Sequence, residues 1–166
     1  MTRLRRHWHL PSIRIKVVGE VGTPWTVVDE AVKKRDELRR KRQTGYTIHV
    51  VFDRDEHPRF NGAVARARDL GFTMGVSVPC IELWGILLHQ DHTAPIDRHR
   101  AQHLLRDLHP GYDHNRNPYL DPETVLNGLE DAHRRSETLS KRASDAGVEF
   151  YNPTTSFSKV ILAIRP

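Results

Sequence analysis

The spacing of apolar positions changes period several times along the chain. Residues 13–18 (I-R-I-K-V-V) alternate apolar and polar, the pattern of a half-exposed strand, and 19–24 (G-E-V-G-T-P) turn the chain. From 25 to 42 the period lengthens to that of a helix. Val28, Ala31, Val32 and Leu38 form a partial stripe, while 33–42 are mostly charged. Residues 43–45 (Q-T-G) close this helix. Residues 48–52 (I-H-V-V-F) follow, apolar at nearly every position, which suits a strand covered on both faces. Aspartate is a poor strand residue, so the strand is expected to stop at Asp53. A helix over 61–70 carries Ala63, Val64, Ala67 and Leu70 on one face, and Gly71 ends it. Residues 72–78 (F-T-M-G-V-S-V) read as a second buried strand, and 81–88 (I-E-L-W-G-I-L-L) as a short, strongly apolar helix.

From 16 to 88 the order is therefore strand, helix, strand, helix, strand, helix, which argues for a parallel sheet with right-handed crossovers. The second half is helical. Residues 97–108 place Ala101, Leu104, Leu105 and Leu108 on one face, and 110–118 (P-G-Y-D-H-N-R-N-P) form a polar loop. Asp121 is a good N-cap with Pro122 at the first helical position, opening a helix to about Arg142. After Gly147, Asn152 is expected to cap and Pro153 to start a last helical segment bearing Phe157, Val160, Ile161 and Ile164.

The chemistry gathers where the 48–52 strand ends. Asp53, Asp55 and Glu56 follow it directly, and ligands in open α/β sheets collect just past the carboxyl ends of strands. Carboxylates at such spacing repel one another, and a hard dication such as Mg²⁺ relieves the repulsion using one or two of them plus water and phosphate oxygens. An acidic loop after a strand is the plainer alternative. Glu82 lies one turn into the apolar 81–88 helix, where a carboxylate is costly to bury unless paired or bound to a cation. If both strands run parallel, Glu82 shares a sheet edge with Asp53 and Asp55, and the three suit a Mg²⁺ site. A helix cap or a partner for arginine is the competing role for Glu82.

Composition narrows the classes. The 166 residues support one domain, 37% apolar and 28% charged, and no stretch approaches the ~20 apolar residues of a membrane span. The basic start (M-T-R-L-R-R) has no apolar run after it, so the reading is a cytoplasmic protein. The single Cys80 excludes an internal disulfide framework, and the 11 histidines are too scattered for a zinc site. The net charge of +5 is uneven: residues 1–42 carry 12 Lys/Arg against 5 Asp/Glu, the remainder 14 against 16. Such a basic arm suits attraction to nucleic acid through Lys33, Lys34, Arg35, Arg39, Arg40, Lys41 and Arg42, or is simply a solvated helix face.

The segments F-D-R-D-E-H-P (52–58), S-V-P-C-I-E-L-W (77–84) and N-P-T-T (152–155), in that order, resemble the RloB-like family, whose corresponding motifs are a D-x-D-E-H strand end, S-N-P-C-F-E-L-W and a terminal N-P-S-T. The resemblance implies a Toprim-like α/β fold: a small, mostly parallel sheet flanked by helices, with a helical C-terminal half. It also implies Mg²⁺ (or Mn²⁺) bound for phosphodiester chemistry, and a role in bacterial phage defence beside an ATPase partner resembling the OLD-type and ABC-type ATPases. Carried over by position, Asp53 and Asp55 are the D-x-D metal ligands, Glu56 a supporting acid, Glu82 the acid of F-E-L-W, and Asn152 and Thr154 polar residues of the terminal motif. His57, Glu56 or Glu82 would orient the attacking water or protonate the leaving oxygen.

The chain departs from the family pattern in three places. An upstream E-G-x-x-T-E motif is absent, and Glu20 in V-V-G-E-V-G-T-P is the candidate substitute metal ligand, although that segment fits better as the family's second strand and glycine turn. The asparagine of S-N-P is Val78, and in place of a lysine after Tyr112 the chain has His114 or Arg116 nearby. On this alignment the chain starts near the family's second strand, and a sheet lacking its first strand would expose an unpaired, aggregation-prone edge. The resulting expectation is a metal-dependent nuclease acting on RNA or DNA. A catalytically silent subunit that recruits or regulates the ATPase, and a plain basic nucleic-acid-binding module, are the alternatives.

Overall fold

The computed structural model describes residues 22–54 and 57–164. The expected 13–18 strand, Glu20, Asp55 and Glu56 lie outside them. The described residues form six helices and a three-stranded mixed sheet, an α/β architecture with helices flanking a small sheet and a helical C-terminal half.

Helix α1 spans Pro24–Arg40, two residues shorter at its C-terminus than the charge pattern suggested. Thr23 caps it, its Oγ1 accepting the Thr26 N–H, and proline at the first position has no N–H to strand. Arg42 takes a left-handed φ of 52°, so the chain has already left the helix there. Strand β1 (His49–Asp53) runs parallel to β2 (Thr73–Val78), with His49 opposite Thr73 and Asp53 opposite Ser77. Helix α2 (Phe60–Asp69) connects them. Val28 of α1 and Phe60, Ala63, Val64 and Ala67 of α2 pack on Val50, Phe52 and Val76 to form one core. β1 is not covered on both faces, contrary to the reading of its apolar run: Val50 and Phe52 are buried, but Val51 is 36% exposed.

Helix α3 (Glu82–His89) is buried from Glu82 through Leu88. A helix that is apolar all round must be surrounded, and α4 (Arg98–Leu108) and α5 (Pro122–Asp145) flank it. Asp97 and Asp121 cap these two helices by accepting the N–H groups of Arg100 and Thr124, each at 2.9 Å. Small residues set the approach. A Cβ added to Gly128 of α5 would lie 2.6 Å from the Leu88 carbonyl oxygen, and one added to Gly85 would lie 2.7 Å from Leu105 Cδ2. Because the Leu88 oxygen is backbone, it cannot swing aside. Gly128→Ala is therefore expected to cost about 1–3 kcal/mol of stability, read as a lower urea midpoint. An unchanged midpoint would mean that α3 and α5 separate without penalty.

The C-terminal segment differs from the expected helix start. Thr154–Thr155 form a short strand, β3, antiparallel to Ser77–Val78, and the last helix, α6, begins only at Phe157 and runs to Ala163. Local hydrogen bonding explains the change. Ser77 Oγ and Thr155 Oγ1 are 2.8 Å apart, and Ser156 bonds Val76 through both backbone and hydroxyl. Asn152 does not cap that helix; its side chain accepts the Ile96 N–H at 3.2 Å and donates to the Ile96 carbonyl at 2.8 Å.

Candidate functional site

Two carboxylates meet where β1 and β2 end. Asp53 is the last residue of β1, and Glu82 opens α3, four residues beyond the end of β2. The parallel pairing brings both to the same edge of the sheet. Asp53 accepts the backbone N–H of Ile81 at the entrance to α3 and feels the charge of Arg98 at the start of α4. Burial, reinforced by the Glu82 charge, nevertheless pushes its carboxyl up to about 7.

Glu82 is resolved differently. It is 3% exposed, and burial acts to raise its pKa, but its donors outweigh burial and hold it below the ordinary carboxylate range. Tyr112 Oη–H donates to Oε1 at 2.7 Å, the Cys80 thiol donates as well, and His114 Nδ1 lies 2.7 Å from the same oxygen. Burial and the neighbouring Glu82 charge push the Cys80 thiol and the Tyr112 phenol up, so both remain protonated donors. Of the two adjacent acids, Glu82 is thus the settled anion, and Asp53 is the one whose charge is poorly compensated.

A hard cation fits Asp53. A desolvated carboxylate facing a second anion gains most from a dication, and Mg²⁺ commonly takes one or two carboxylates with water and phosphate completing its shell. Among the described residues no group of three His, Cys, Asp or Glu side chains is arranged to hold a metal. The other ligands expected from the D-x-D pattern, Asp55 with Glu20, lie outside those residues, as does Glu56. Glu82 Oε1 is taken up by its hydrogen bonds, so this acid holds the site together. Of the expected cluster of Asp53, Asp55 and Glu82, the structure brings Asp53 and Glu82 together, and Asp55 lies outside the described residues.

The remaining candidates make other contacts. His57 enters α2, its carbonyl accepting the Phe60 N–H. Thr154 Oγ1 donates to the Tyr151 carbonyl at 2.7 Å, and with Asn152 it secures the loop before α6. The basic stretch is not brought to Asp53. Arg35 stacks over Phe72, which precedes β2 at the opposite end of the sheet. Lys33 and Lys34 pair with Glu30 and Glu37, Arg35 with Asp36, and Lys41 with Glu37. Arg39, Arg40 and Arg42 are exposed beyond them.

The family model described as RloB-like protein matches residues 1–164. The chain belongs to the RloB-like family. No curated protein and no solved structure matches it. Among the described residues no helix of this RloB-like chain is long and apolar enough to cross a membrane. Two residues of the site, Cys80 and Arg98, were not singled out from sequence; the family pattern pointed to Tyr112 and His114 only as the place where a lysine is replaced. Glu82 itself was a further signal. A carboxylate inside I-E-L-W demands donors, and the polar 110–118 loop, with its lone tyrosine, was the place to look for them.

Proposed function

We propose that this RloB-like chain is a Mg²⁺- or Mn²⁺-dependent nuclease that cleaves phosphodiesters of RNA or DNA, working in bacterial phage defence with an ATPase partner. The observation that carries this reading is Asp53, desolvated and held near a pKa of 7 beside the anionic Glu82 at the carboxyl edge of parallel strands. Asp53 and Asp55 would hold the dication, which when bound would polarise the scissile phosphate and lower the pKa of a bound water. Glu82 ties the start of α3 to the 110–118 loop through its bonds to Tyr112 and His114. The Arg98 charge felt at Asp53 would favour an anion there.

The test is cleavage of labelled RNA and DNA with Mg²⁺, with Mn²⁺ and with chelator, alongside thermal unfolding. Metal is expected to support cleavage and to raise the melting temperature at pH 8 but not at pH 5, where Asp53 is protonated and unavailable. Metal-independent cleavage would sink the reading, as would equal stabilisation at both pH values. The alternative, a silent subunit serving the ATPase, rests on the commitment of Glu82 to internal hydrogen bonds. It predicts no cleavage with either metal while the ATPase is still bound.

A further inference from the structure

The 110–118 loop is a closed turn that fixes one imidazole. Asp113 and Asn117 exchange both backbone hydrogen bonds, at 3.0 and 2.8 Å. The Asp113 carboxylate accepts the N–H groups of Asn115 and Arg116 at 2.9 and 2.8 Å, and Asn117 Nδ2 donates to the Gly111 carbonyl at 2.6 Å. Tyr112, 6% exposed, anchors the base of the turn on Glu82. His114 rides on this turn with Nδ1 2.7 Å from Glu82 Oε1, while 49% of its side chain faces solvent.

The proton positions follow. An ionised carboxylate only accepts, so Nδ1 must carry the hydrogen. In the neutral ring Nε2 then bears a lone pair. A buried carboxylate behind Nδ1, with the far side of the ring open, orients a histidine as a base and stabilises the imidazolium it becomes. Glu82 has both Asp53 and His114 as neighbours, so the base and the proposed metal ligand meet at the same acid.

We propose that His114, oriented through Nδ1 by the buried Glu82, presents Nε2 as the proton acceptor for a nucleophile attacking a phosphodiester held at Asp53. This rests on the nuclease reading and names its base. Nε2 takes one proton from the attacking water as the new O–P bond forms. The bond from phosphorus to the leaving oxygen breaks with its electron pair on that oxygen, which takes a proton from solvent, and the imidazolium returns its own proton to solvent. The sum is one water added across the phosphodiester with no redox change. His114 takes the role that position alone had suggested for His57.

Two measurements test it. ¹⁵N-resolved NMR of wild-type protein, with the His114 signals assigned by H114Q, is expected to show the Nδ1–H tautomer in the neutral ring. In cleavage assays H114A is expected to lower kcat on the order of 10²–10⁴-fold with little change in KM, and added imidazole to restore part of it. H114Q keeps a donor to Glu82 and is expected to match wild-type stability while remaining inactive. A neutral ring protonated on Nε2 overturns the inference with the nuclease reading intact. So does full cleavage by H114A, or a loss that imidazole leaves unrepaired. Absence of cleavage by wild-type protein, in contrast, removes the nuclease reading and this role together.

Discussion

Asp53→Asn is expected to stabilise the metal-free protein above pH 7 and to abolish metal-dependent cleavage. The Asp53 carboxyl sits near 7 in the folded protein against an ordinary 3.8. Between those values the folded state holds a proton that the unfolded state has lost, so stability falls as pH rises through that window and the full cost is felt above about 7. That difference corresponds to about 4 kcal/mol. Partial exposure screens the site, and roughly 2 kcal/mol is the better figure. Asparagine keeps the shape without the charge. The variant should therefore melt roughly 5 °C higher than wild type at pH 8, with little difference near pH 4. Cleavage should fall on the order of a thousand-fold, matching the several kcal/mol a Lewis acid contributes, and the metal-induced rise in melting temperature should vanish. A variant that melts below wild type at pH 8 would show that Asp53 is satisfied by its surroundings, removing the argument for a cation there.

Glu82→Ala is expected to be the most damaging single change to stability, at about 3–5 kcal/mol by chemical denaturation. The substitution leaves the buried Tyr112 hydroxyl and Cys80 thiol without their acceptor, frees His114 and opens a void in α3, a helix packed on every side. Glu82 also stabilises wild-type protein in a pH-dependent way. Its folded pKa is depressed, so its contribution is present above the ordinary glutamate range and is lost on acidification through the folded value. Removing its charge should lower the Asp53 pKa, observable by carboxyl ¹³C titration in Glu82→Gln, which preserves volume. The Asp53→Asn and Glu82→Gln effects should therefore be non-additive above pH 7. Additive effects and an unmoved Asp53 titration would separate the two acids into independent sites.

Much of the secondary structure was legible because it is locally encoded. Asp121-Pro122 is a helix start that acts within three residues, and the structure begins α5 there; Thr23 and Asp97 cap α1 and α4 in the same local way. The failures come where a distant segment supplies the hydrogen bonds. Thr154-Thr155-Ser156 follows a proline as a helix start would, yet β2 offers it an open edge and the chain extends instead. Asn152 has a capping side chain, but the Ile96 backbone, 56 residues away, claims it. Val51 looks like core in a continuous apolar run, and only the stacking of α1 and α2 on one face of β1 leaves it half out.

By itself the sequence determined the family, the alternation of strands and helices, and the two acids that chemistry needs, because strand ends, caps and motif spacing are properties of neighbouring residues. Only the tertiary structure decided what those acids are. Asp53 and Glu82 look alike on paper, each a carboxylate beside apolar residues. Folding gives Glu82 donors from Cys80, Tyr112 and His114, two of them roughly 30 residues downstream, and leaves Asp53 beside it with a backbone N–H and the more remote charge of Arg98. Folding likewise sends the basic end of α1 to the opposite end of the sheet, so the cation felt at Asp53 is Arg98. A charge in a protein interior is governed by the dipoles and donors packed around it, and those arrive from wherever the chain returns.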